Sequence, residues 1–136
     1  MADVLTPAQR SLCMAAVKGR DTTPELAARR LIHRLGYRYV LHSEKLPGKP
    51  DLVFPSRRKV IFVHGCFWHM HRCKHGRKAP VSNVRYWERK RTGNRARDRR
   101  NTAALKAAGW NVLVVWECWT RNPGSLSARI VGFLGH

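Results

Sequence analysis

The sequence is poor in acidic residues and contains no long apolar run. Only 8 of its 136 residues are Asp or Glu, against 27 Lys and Arg. No apolar stretch approaches the ~20 residues that a membrane-spanning helix requires, which excludes an integral membrane protein. The first residues, MADVLTPAQR, lack the apolar core of a secretion signal. We therefore expect a cytoplasmic protein, in which the four cysteines are metal ligands or buried thiols and not disulfides.

The excess of cations gives the chain a formal net charge of +19. Repulsion among so many like charges does not stabilise a fold. The charge therefore indicates a polyanionic partner, and nucleic acid is the first candidate. An anionic membrane is the weaker candidate, because the basic residues form neither an amphipathic anchor nor a terminal tail. A basic surface that serves solubility alone is the remaining alternative.

Helix and strand signals predict one α/β domain spanning residues 1–136, with helices flanking a mixed sheet. The predicted elements are helices at about 6–18, 23–36, 83–108 and 125–134, and strands at 37–41, 51–54, 60–63 and 111–116. Thr23 is the predicted cap of the second helix, and the strands at 51–54 and 60–63 form a predicted hairpin. Because the last strand is continuously apolar, we expect it to be central and buried on both faces.

The segment from His64 to His75 holds six potential metal ligands in twelve residues. Cys66, Cys73 and one or two imidazoles could fill most of a tetrahedral zinc site, and Cys118 is the obvious distant fourth ligand. Such a site would attach an irregular loop to the sheet in a domain with little core. The pattern leaves open which histidine binds, and the alternative is a set of metal-free histidines with two buried thiols.

Asp51 is one of the few acids and precedes an apolar strand. A Pro-Asp pair is usually no more than a turn before a strand. In a chain so rich in cations, however, a carboxylate before an apolar strand needs a reason. Binding of Mg²⁺, which prefers hard oxygen ligands, is such a reason. A metal ion at a scissile phosphate stabilises the charge that develops on the attacking and leaving oxygens.

The stretch from Arg85 to Arg100 carries eight Lys or Arg and two acids, with Tyr86 and Trp87 at its start. A helix of this composition suits a phosphate backbone, although a solvated basic face would explain the charges alone. Lys90 and Asn94 are four residues apart, so they share a helix face and can both reach base edges. Nearby aromatic side chains can insert between bases and unstack them.

Landmarks along most of the chain carry a resemblance to one family. They are Arg10-Ser11 with Met14, Arg20-Asp-Thr22 with Glu25, Leu46-Pro-Gly-Lys-Pro-Asp51, Val60-Ile-Phe-Val-His-Gly-Cys-Phe-Trp-His69, His71, Cys73, Tyr86-Trp87, Lys90, Asn94, Arg97-Asp-Arg-Arg100, Gly109-Trp110 and Val115-Trp-Glu-Cys118. With these residues in this order, the sequence resembles the very short patch repair (Vsr) DNA mismatch endonucleases. The resemblance implies a restriction-endonuclease-like α/β fold with a structural zinc site, in a bacterial, nucleoid-associated enzyme.

The activity that the resemblance implies is Mg²⁺-dependent nicking of duplex DNA, on the 5′ side of the thymine in a T·G mismatch. Such mismatches arise when 5-methylcytosine deaminates. The implied partners are therefore mismatched double-stranded DNA, mismatch-repair proteins and a functionally linked cytosine-5 methyltransferase. We expect a monomer, because an asymmetric mismatch gives no reason for two-fold symmetry.

The resemblance also implies roles for individual acids beside the metal. Asp51 would be the Mg²⁺-binding carboxylate, and Val63 would add its backbone carbonyl. The family commonly has threonine at that position, but a carbonyl ligand does not depend on the side chain. Glu25, from the second predicted helix, would hold metal-bound water.

Histidines complete the implied catalytic group. His69 would be the general base for the attacking water, which suits an imidazole with an ordinary pKa near ~6.5. His64 would contact the phosphate or a metal-bound water, and Asp98 would support this network. The wider nuclease superfamily has a second acid and a lysine on this strand, where the present chain has Phe62, Val63 and His64.

The same resemblance implies which residues bind zinc and which residues contact DNA. The implied zinc ligands are Cys66, His71, Cys73 and Cys118. The wedge that opens DNA beside the mismatch would be formed by Phe67, Trp68 and Trp87. Lys90 and Asn94 would face the mispaired bases, and the N-terminal helix, around Met14, would be an arm that closes over the DNA.

Two alternatives remain at this point. One is a non-catalytic, zinc-stabilised module that binds distorted duplex DNA, which would need neither Asp51 nor His69. The other is a related metal-dependent nicking nuclease with a broader mismatch or sequence specificity. The segment between Cys73 and Trp87 departs from the family pattern, which leaves the flanking base preference open.

Overall fold

Three strands in succession follow the first described helix, and a long helix separates them from the last strand. The computed structural model describes residues 22–66, 69, 71–73 and 84–135. In these ranges the helices are α1 (Thr23–Arg34), α2 (Val84–Ala107) and α3 (Pro123–Leu134), and the strands are β1 (Val40–Leu41), β2 (Leu52–Phe54), β3 (Lys59–His64) and β4 (Asn111–Trp116). Two short 3₁₀ helices follow strands β2 and β4, at Pro55–Arg57 and Glu117–Arg121. The predicted helix at about 6–18 lies outside the described residues.

The four strands form one mixed sheet in the order β1-β2-β3-β4. Strands β1, β2 and β3 pair antiparallel, which confirms the predicted hairpin of β2 and β3. Its turn ends at Arg58, a non-glycine residue with a positive φ of 56°. Strand β4 pairs parallel with β3 over six residues, from Lys59 opposite Asn111 to His64 opposite Trp116. The crossover between them contains α2, as a parallel connection requires.

Alternation along the strands directs apolar side chains to both faces of the sheet. On one face Leu52, Phe54, Ile61 and Val115 pack with α1 and α3, whose buried members are Ala28, Ile32, Leu126, Ile130 and Leu134. On the other face Val53, Val60 and Phe62 pack with Leu105 of α2. The chain is therefore a mixed α/β domain in which helices flank both faces of a four-stranded sheet.

Several predicted boundaries are wrong by a few residues. Thr22, and not Thr23, caps α1, because its hydroxyl accepts a hydrogen bond from the N–H of Glu25 at 3.3 Å. The predicted strand at 37–41 is a strand only over Val40–Leu41. Helix α3 begins at Pro123, two residues before the predicted start, because the side chain of Asn122 caps it.

The predicted central position of β4 is also wrong. Strand β4 lies at the edge of the sheet that the described residues form, and only Val115 of its six residues is fully buried. Its side chains contact the apolar clusters on both faces, which explains the continuous apolar run. An apolar run reports that both faces of a strand are covered, but not whether both edges are paired. None of the described helices is long and apolar enough to cross a membrane.

Candidate active site

Two buried carboxylates lie beside the C-terminal end of β3. Asp51 directly precedes β2, and its Oδ2 accepts a hydrogen bond from the N–H of Val63 at 2.7 Å. Glu25, in the first turn of α1, has a ligand oxygen within 4.8 Å of one from Asp51. The exposed fractions of these residues are 7% for Asp51 and 1% for Glu25. Glu25 has a cationic partner, since Nη1 of Arg29 lies 3.2 Å from its Oε2. Few carboxylates are buried to the degree of Asp51 without a cationic partner or a metal.

Burial raises the pKa of Asp51 to about 8. The N–H of Val63 acts in the opposite direction because it stabilises the carboxylate, whereas the charge and hydrogen bond of Glu25 raise the pKa further. Two neighbouring carboxylates out of water resist ionising together, and a bound cation would reverse that balance. The pair therefore has the ligand chemistry of a site for a hard divalent cation.

His42 belongs to the same cluster, although no sequence motif predicts it there. Its Nε2 lies 2.9 Å from Oε2 of Glu25, and its N–H donates to the backbone carbonyl of Asp51 at 3.1 Å. Its φ of 47° is unusual for a residue other than glycine. A lone histidine in a loop carries no spacing signal, so only the folded chain identifies it.

A second cluster joins two histidines to α2. His69 Nδ1 lies 2.5 Å from Oδ2 of Asp98, and the ring of His69 stacks on that of His64 with centroids 3.9 Å apart. His64 Nε2 lies 3.8 Å from Oδ1 of Asp98. Asp98 is thus in contact with one predicted catalytic histidine and close to the other. Val63 and His64 are adjacent in β3, so that strand links this cluster to the carboxylates.

His64 is held as a neutral imidazole. Burial lowers its pKa to about 3, the nearby His69 lowers it further, and Asp98 partly opposes both. Its Nδ1 is buried and has no hydrogen-bond partner in the described structure. A buried polar atom without a partner is uncommon and indicates a group that binds there in the functional state.

The histidine cluster opens into a groove of about 700 Å³ between α2 and the end of β4. Cations predominate among its charged residues. The described residues that line it are His64, His69, His71, Arg72, Arg95, Asp98, Arg99, Thr102, Ala103, Lys106, Val114 and Trp116. The groove is large enough for part of a polymeric substrate, and its charge favours an anionic one.

The four predicted zinc ligands come together at the end of β4. Their ligand atoms all lie within 4.8 Å of one another. Nδ1 of His71 is 3.7 Å from Sγ of Cys66 and 3.6 Å from Sγ of Cys118. Tetrahedral zinc, with bonds of about 2.0–2.3 Å, would separate a nitrogen and a sulfur ligand by about 3.6 Å. The donor set and its spacing therefore fit a tetrahedral metal site that contains Cys73 as the fourth ligand.

Burial is the main influence on titration in this cluster. It raises the pKa of Cys66 to about 12 and raises that of Cys118. It also lowers the pKa of His71, which stacks on the ring of Trp116 at 4.1 Å. Grouped thiols resist ionisation without a cation, while a neutral imidazole is already in the form that binds metal.

The predicted DNA-reading residues lie in the first half of α2. The Lys90 ammonium is 5.9 Å from the ring centroid of Trp87 and 5.7 Å from that of Tyr86. Tyr86 is 55% exposed, and the side-chain carbonyl of Asn94 accepts a hydrogen bond from Arg97. The other predicted DNA residues, which are Met14, Phe67 and Trp68, lie outside the described residues.

Comparisons with known proteins show which family the chain resembles. A family profile described as "DNA mismatch endonuclease Vsr" matches residues 2–75. The chain is 52% identical over 134 residues to the type II nicking enzyme V.XorIIP of Xanthomonas oryzae, covering 98% of each protein. It is 42% identical over 127 residues to the DNA mismatch endonuclease Vsr of Escherichia coli, covering 93% of this chain and 81% of the relative. The type II nicking enzyme V.NmeAIP of Neisseria meningitidis is 37% identical over 130 residues, covering 96% and 92%.

Proposed function

Because the chain belongs to the Vsr family of DNA mismatch endonucleases, we propose that it nicks duplex DNA on the 5′ side of the thymine in a T·G mismatch. The enzyme is an endonuclease that acts on DNA; the proposal concerns its substrate and its chemistry. The mismatch would arise by deamination of 5-methylcytosine, which links the enzyme functionally to a cytosine-5 methyltransferase. The observation that carries the proposal is the contact of His69 with Asp98. Its link to the carboxylates is strand β3, in which Val63 donates to Asp51 and the next residue, His64, stacks on His69.

His69 acts as the general base. Asp98 binds Nδ1, which fixes that nitrogen as the protonated one and leaves Nε2 free to accept a proton. The proton comes from the water that attacks the phosphodiester, and the stacked His64 restricts the orientation of the His69 ring. His64 Nδ1, which is buried without a partner, supplies a further polar contact for a phosphate oxygen. Positioned proton transfer of this kind contributes about 10²- to 10⁴-fold to a rate.

Mg²⁺ is the proposed catalytic cation. Asp51 would hold it through its carboxylate and Val63 through its backbone carbonyl, with Glu25 supporting the site from α1. In an extended strand the N–H and carbonyl of one residue point the same way, so the carbonyl of Val63 faces the side on which Asp51 binds its N–H. When bound, the cation stabilises negative charge on the reacting phosphate. The buried carboxylate pair supports this assignment, since oxygen ligands suit Mg²⁺.

Zinc is the proposed structural metal. Cys66, His71, Cys73 and Cys118 would fill four tetrahedral positions and leave none open for substrate, as in structural zinc sites. The site would join the loop after β3 to the 3₁₀ helix after β4, directly behind the catalytic histidines. We further propose that the domain is restriction-endonuclease-like and monomeric.

DNA recognition would use α2 and aromatic side chains. Lys90 and Asn94 would face the mispaired bases, and Trp87, with Phe67 and Trp68, would form the wedge. Met14, in the N-terminal arm, would contact the DNA from the other side. Mismatch-repair proteins remain proposed partners. The proximity of Lys90 to the Trp87 ring supports a shared surface for these side chains.

A strand-resolved nicking assay tests the proposed function. End-labelled duplexes that differ only in T·G or C·G at one position are incubated with and without Mg²⁺. We expect a single nick 5′ to the mispaired thymine, absent without metal and absent with the Asp51→Ala variant, which still binds the duplex. Tight binding without cleavage of any mismatch would instead identify a non-catalytic DNA-binding module. Equal cleavage of other mismatches or of matched sites would identify a nicking nuclease of broader specificity.

A further inference from the structure

Helix α2 carries a row of cations into the groove that holds the catalytic histidines. Arg95, Arg99 and Lys106, called here the groove cations, line it together with His69 and Asp98. Arg95 and Arg99 lie one helical turn apart, and Lys106 follows about two turns later. All three are exposed. Asp98, which contacts the proposed general base, lies between Arg95 and Arg99 on the helix, so the row passes the base and continues to Lys106.

The groove cations are not engaged elsewhere in the protein. In the part of the chain that the structure describes, their side chains make no hydrogen bond or ion pair with another residue. Other cations do have such roles: Arg57 and Lys59, for example, donate to carbonyls at the end of α3. Asp98 is the one acid among the described lining residues. The excess positive charge of the groove is thus available to a ligand.

The length of the row matches a nucleic-acid strand. From Arg95 to Lys106 the helix rises about 16 Å, at about 1.5 Å per residue. One strand of a DNA duplex rises about 3.4 Å per nucleotide along the duplex axis, so this length corresponds to the rise of about five nucleotides. A guanidinium can bind a phosphate through two parallel hydrogen bonds, which makes Arg95 and Arg99 the stronger contacts.

We propose that the groove cations bind successive phosphates of the cleaved strand and thereby hold its scissile phosphodiester against His69. The inference rests on the proposed function, since it takes the strand in the groove to be the one that is cut. The groove cations are positioning residues: they act on the flanking backbone, and His69 acts on the attacking water. An acidic protein would satisfy the same charge, but a groove that also contains the histidine pair favours the strand being cleaved.

Neighbouring arginines of α2 provide a matched comparison. Arg99 lines the groove, whereas the next residue, Arg100, is equally exposed and does not. Duplex affinity is measured by fluorescence anisotropy without divalent metal over a series of KCl concentrations. We expect Arg99→Ala to weaken binding about tenfold and to reduce the slope of log affinity against log salt by about 0.9, the value for one lost phosphate contact. Arg99→Lys should restore the salt slope but only part of the affinity, and Arg100→Ala should change both little.

Uncharged phosphate analogues show which DNA strand the groove cations contact. Methylphosphonate linkages at about five positions next to the nick site are placed either in the cleaved strand or in its complement. We expect methylphosphonates in the cleaved strand to weaken the binding of the wild-type protein. They should weaken the binding of Arg99→Ala much less, because this variant has already lost the same contact. Equal effects of the two strands, or equal losses for Arg99→Ala and Arg100→Ala, would overturn the inference. So would displacement of the DNA by poly-glutamate at equal charge concentration, which would indicate an acidic protein ligand.

Failure of the proposed cleavage and failure of the phosphate contact give different results in these experiments. If the wild-type protein nicks no mismatch, but methylphosphonates in the strand of the mispaired thymine weaken wild-type binding and affect Arg99→Ala much less, the backbone contact stands and the assigned cleavage does not. If the wild-type protein nicks the T·G duplex and the two arginine variants bind and cleave alike, the activity stands and the inference falls. Circular dichroism of each variant confirms that the helix is intact.

Discussion

At the scale of single residues, one histidine contacts both of the residues that carry the buried carboxylates, and it belongs to no sequence motif. His42 contacts Glu25 through its imidazole and Asp51 through its backbone N–H. Given the proposed Mg²⁺ site, we expect His42→Ala to raise the Mg²⁺ concentration for half-maximal nicking about 10- to 100-fold, as loss of a group that orients a metal ligand does. His42→Gln, which keeps a hydrogen-bond donor, should recover most of the loss. The measurement is a Mg²⁺ titration of single-turnover nicking.

The control for this titration is His33→Ala, because His33 is an exposed residue of α1 that lies about two helical turns beyond the buried Glu25. It should leave the Mg²⁺ requirement unchanged. If His42→Ala also left it unchanged, the contact of His42 with Glu25 would have no part in holding the cation.

The pair of His69 and Asp98 gives a second prediction at this scale. We expect His69→Ala to lower the single-turnover nicking rate about 10²- to 10⁴-fold, with duplex affinity preserved because the imidazole acts on water. Asp98→Asn should lower the rate less, since it removes the charge but leaves an acceptor for Nδ1 of His69. Quench-flow nicking and anisotropy on the same T·G duplex separate rate from binding. A parallel fall in rate and affinity would indicate that His69 supports structure and not proton transfer.

At the scale of secondary structure, the turn before Asp51 packs against α2. Gly48 has a φ of +78°, and a Cβ at this position would lie 2.9–3.0 Å from side-chain atoms of Asn101. Gly48→Ala therefore combines an unfavourable backbone conformation with a steric clash, and we expect it to lower the free energy of unfolding by about 1–3 kcal/mol. Urea denaturation measures this loss.

Gly93, inside α2, is the matched comparison for Gly48. A Cβ there would meet nothing within 4 Å. Because glycine is a poor helix former, Gly93→Ala should raise the free energy of unfolding by about 0.5–1 kcal/mol. We therefore expect the two substitutions to change the free energy of unfolding in opposite directions. Stabilisation by both substitutions would show that the turn at Gly48 tolerates a side chain.

The proposed zinc site connects elements that are distant in sequence. The pairing of His64 with Trp116 places the two chain segments side by side, and the N–H of Cys118 donates to Sγ of Cys66 at 3.4 Å. We expect one zinc per chain by elemental analysis, and Cys118→Ala should lose the metal and lower the melting temperature. Cys13→Ala, outside the four proposed ligands, should retain the metal. Native protein without zinc would contradict the assignment.

At the scale of the whole molecule, the net charge of +19 sets how binding responds to salt. A protein that contacts about 6–10 phosphates loses about 10³- to 10⁵-fold in affinity between about 50 and 200 mM salt. We expect a fall of this order for matched and mismatched duplex alike, measured by anisotropy. A shallow dependence would mean that the excess charge does not face the DNA.

Much of the architecture could be predicted because its signals are local. The hairpin of β2 and β3, the long helix α2 and the flanked mixed sheet follow from apolar patterns and from residues that start or stop elements. The position of β4 could not be predicted, since an apolar run describes its faces and not its edges. The cap of α1 cannot be chosen from the sequence, because Thr22 and Thr23 are both suitable residues and only the hydrogen bond from the N–H of Glu25 identifies Thr22.

The kinds of chemistry present can be read from the amino-acid sequence: a cationic surface for a polyanion, clustered cysteines and histidines, an acid before a strand, and the landmarks of the Vsr family. These depend on residue type and order, which the chain carries whether or not it is folded. Tertiary structure alone decided that Asp98 meets His69 across 29 positions, that His42 reaches Glu25, and that the cations of α2 line the same groove as His64. Such contacts join residues far apart in sequence, and they exist only when the packing of α1 and α2 against opposite faces of the sheet brings their side chains together.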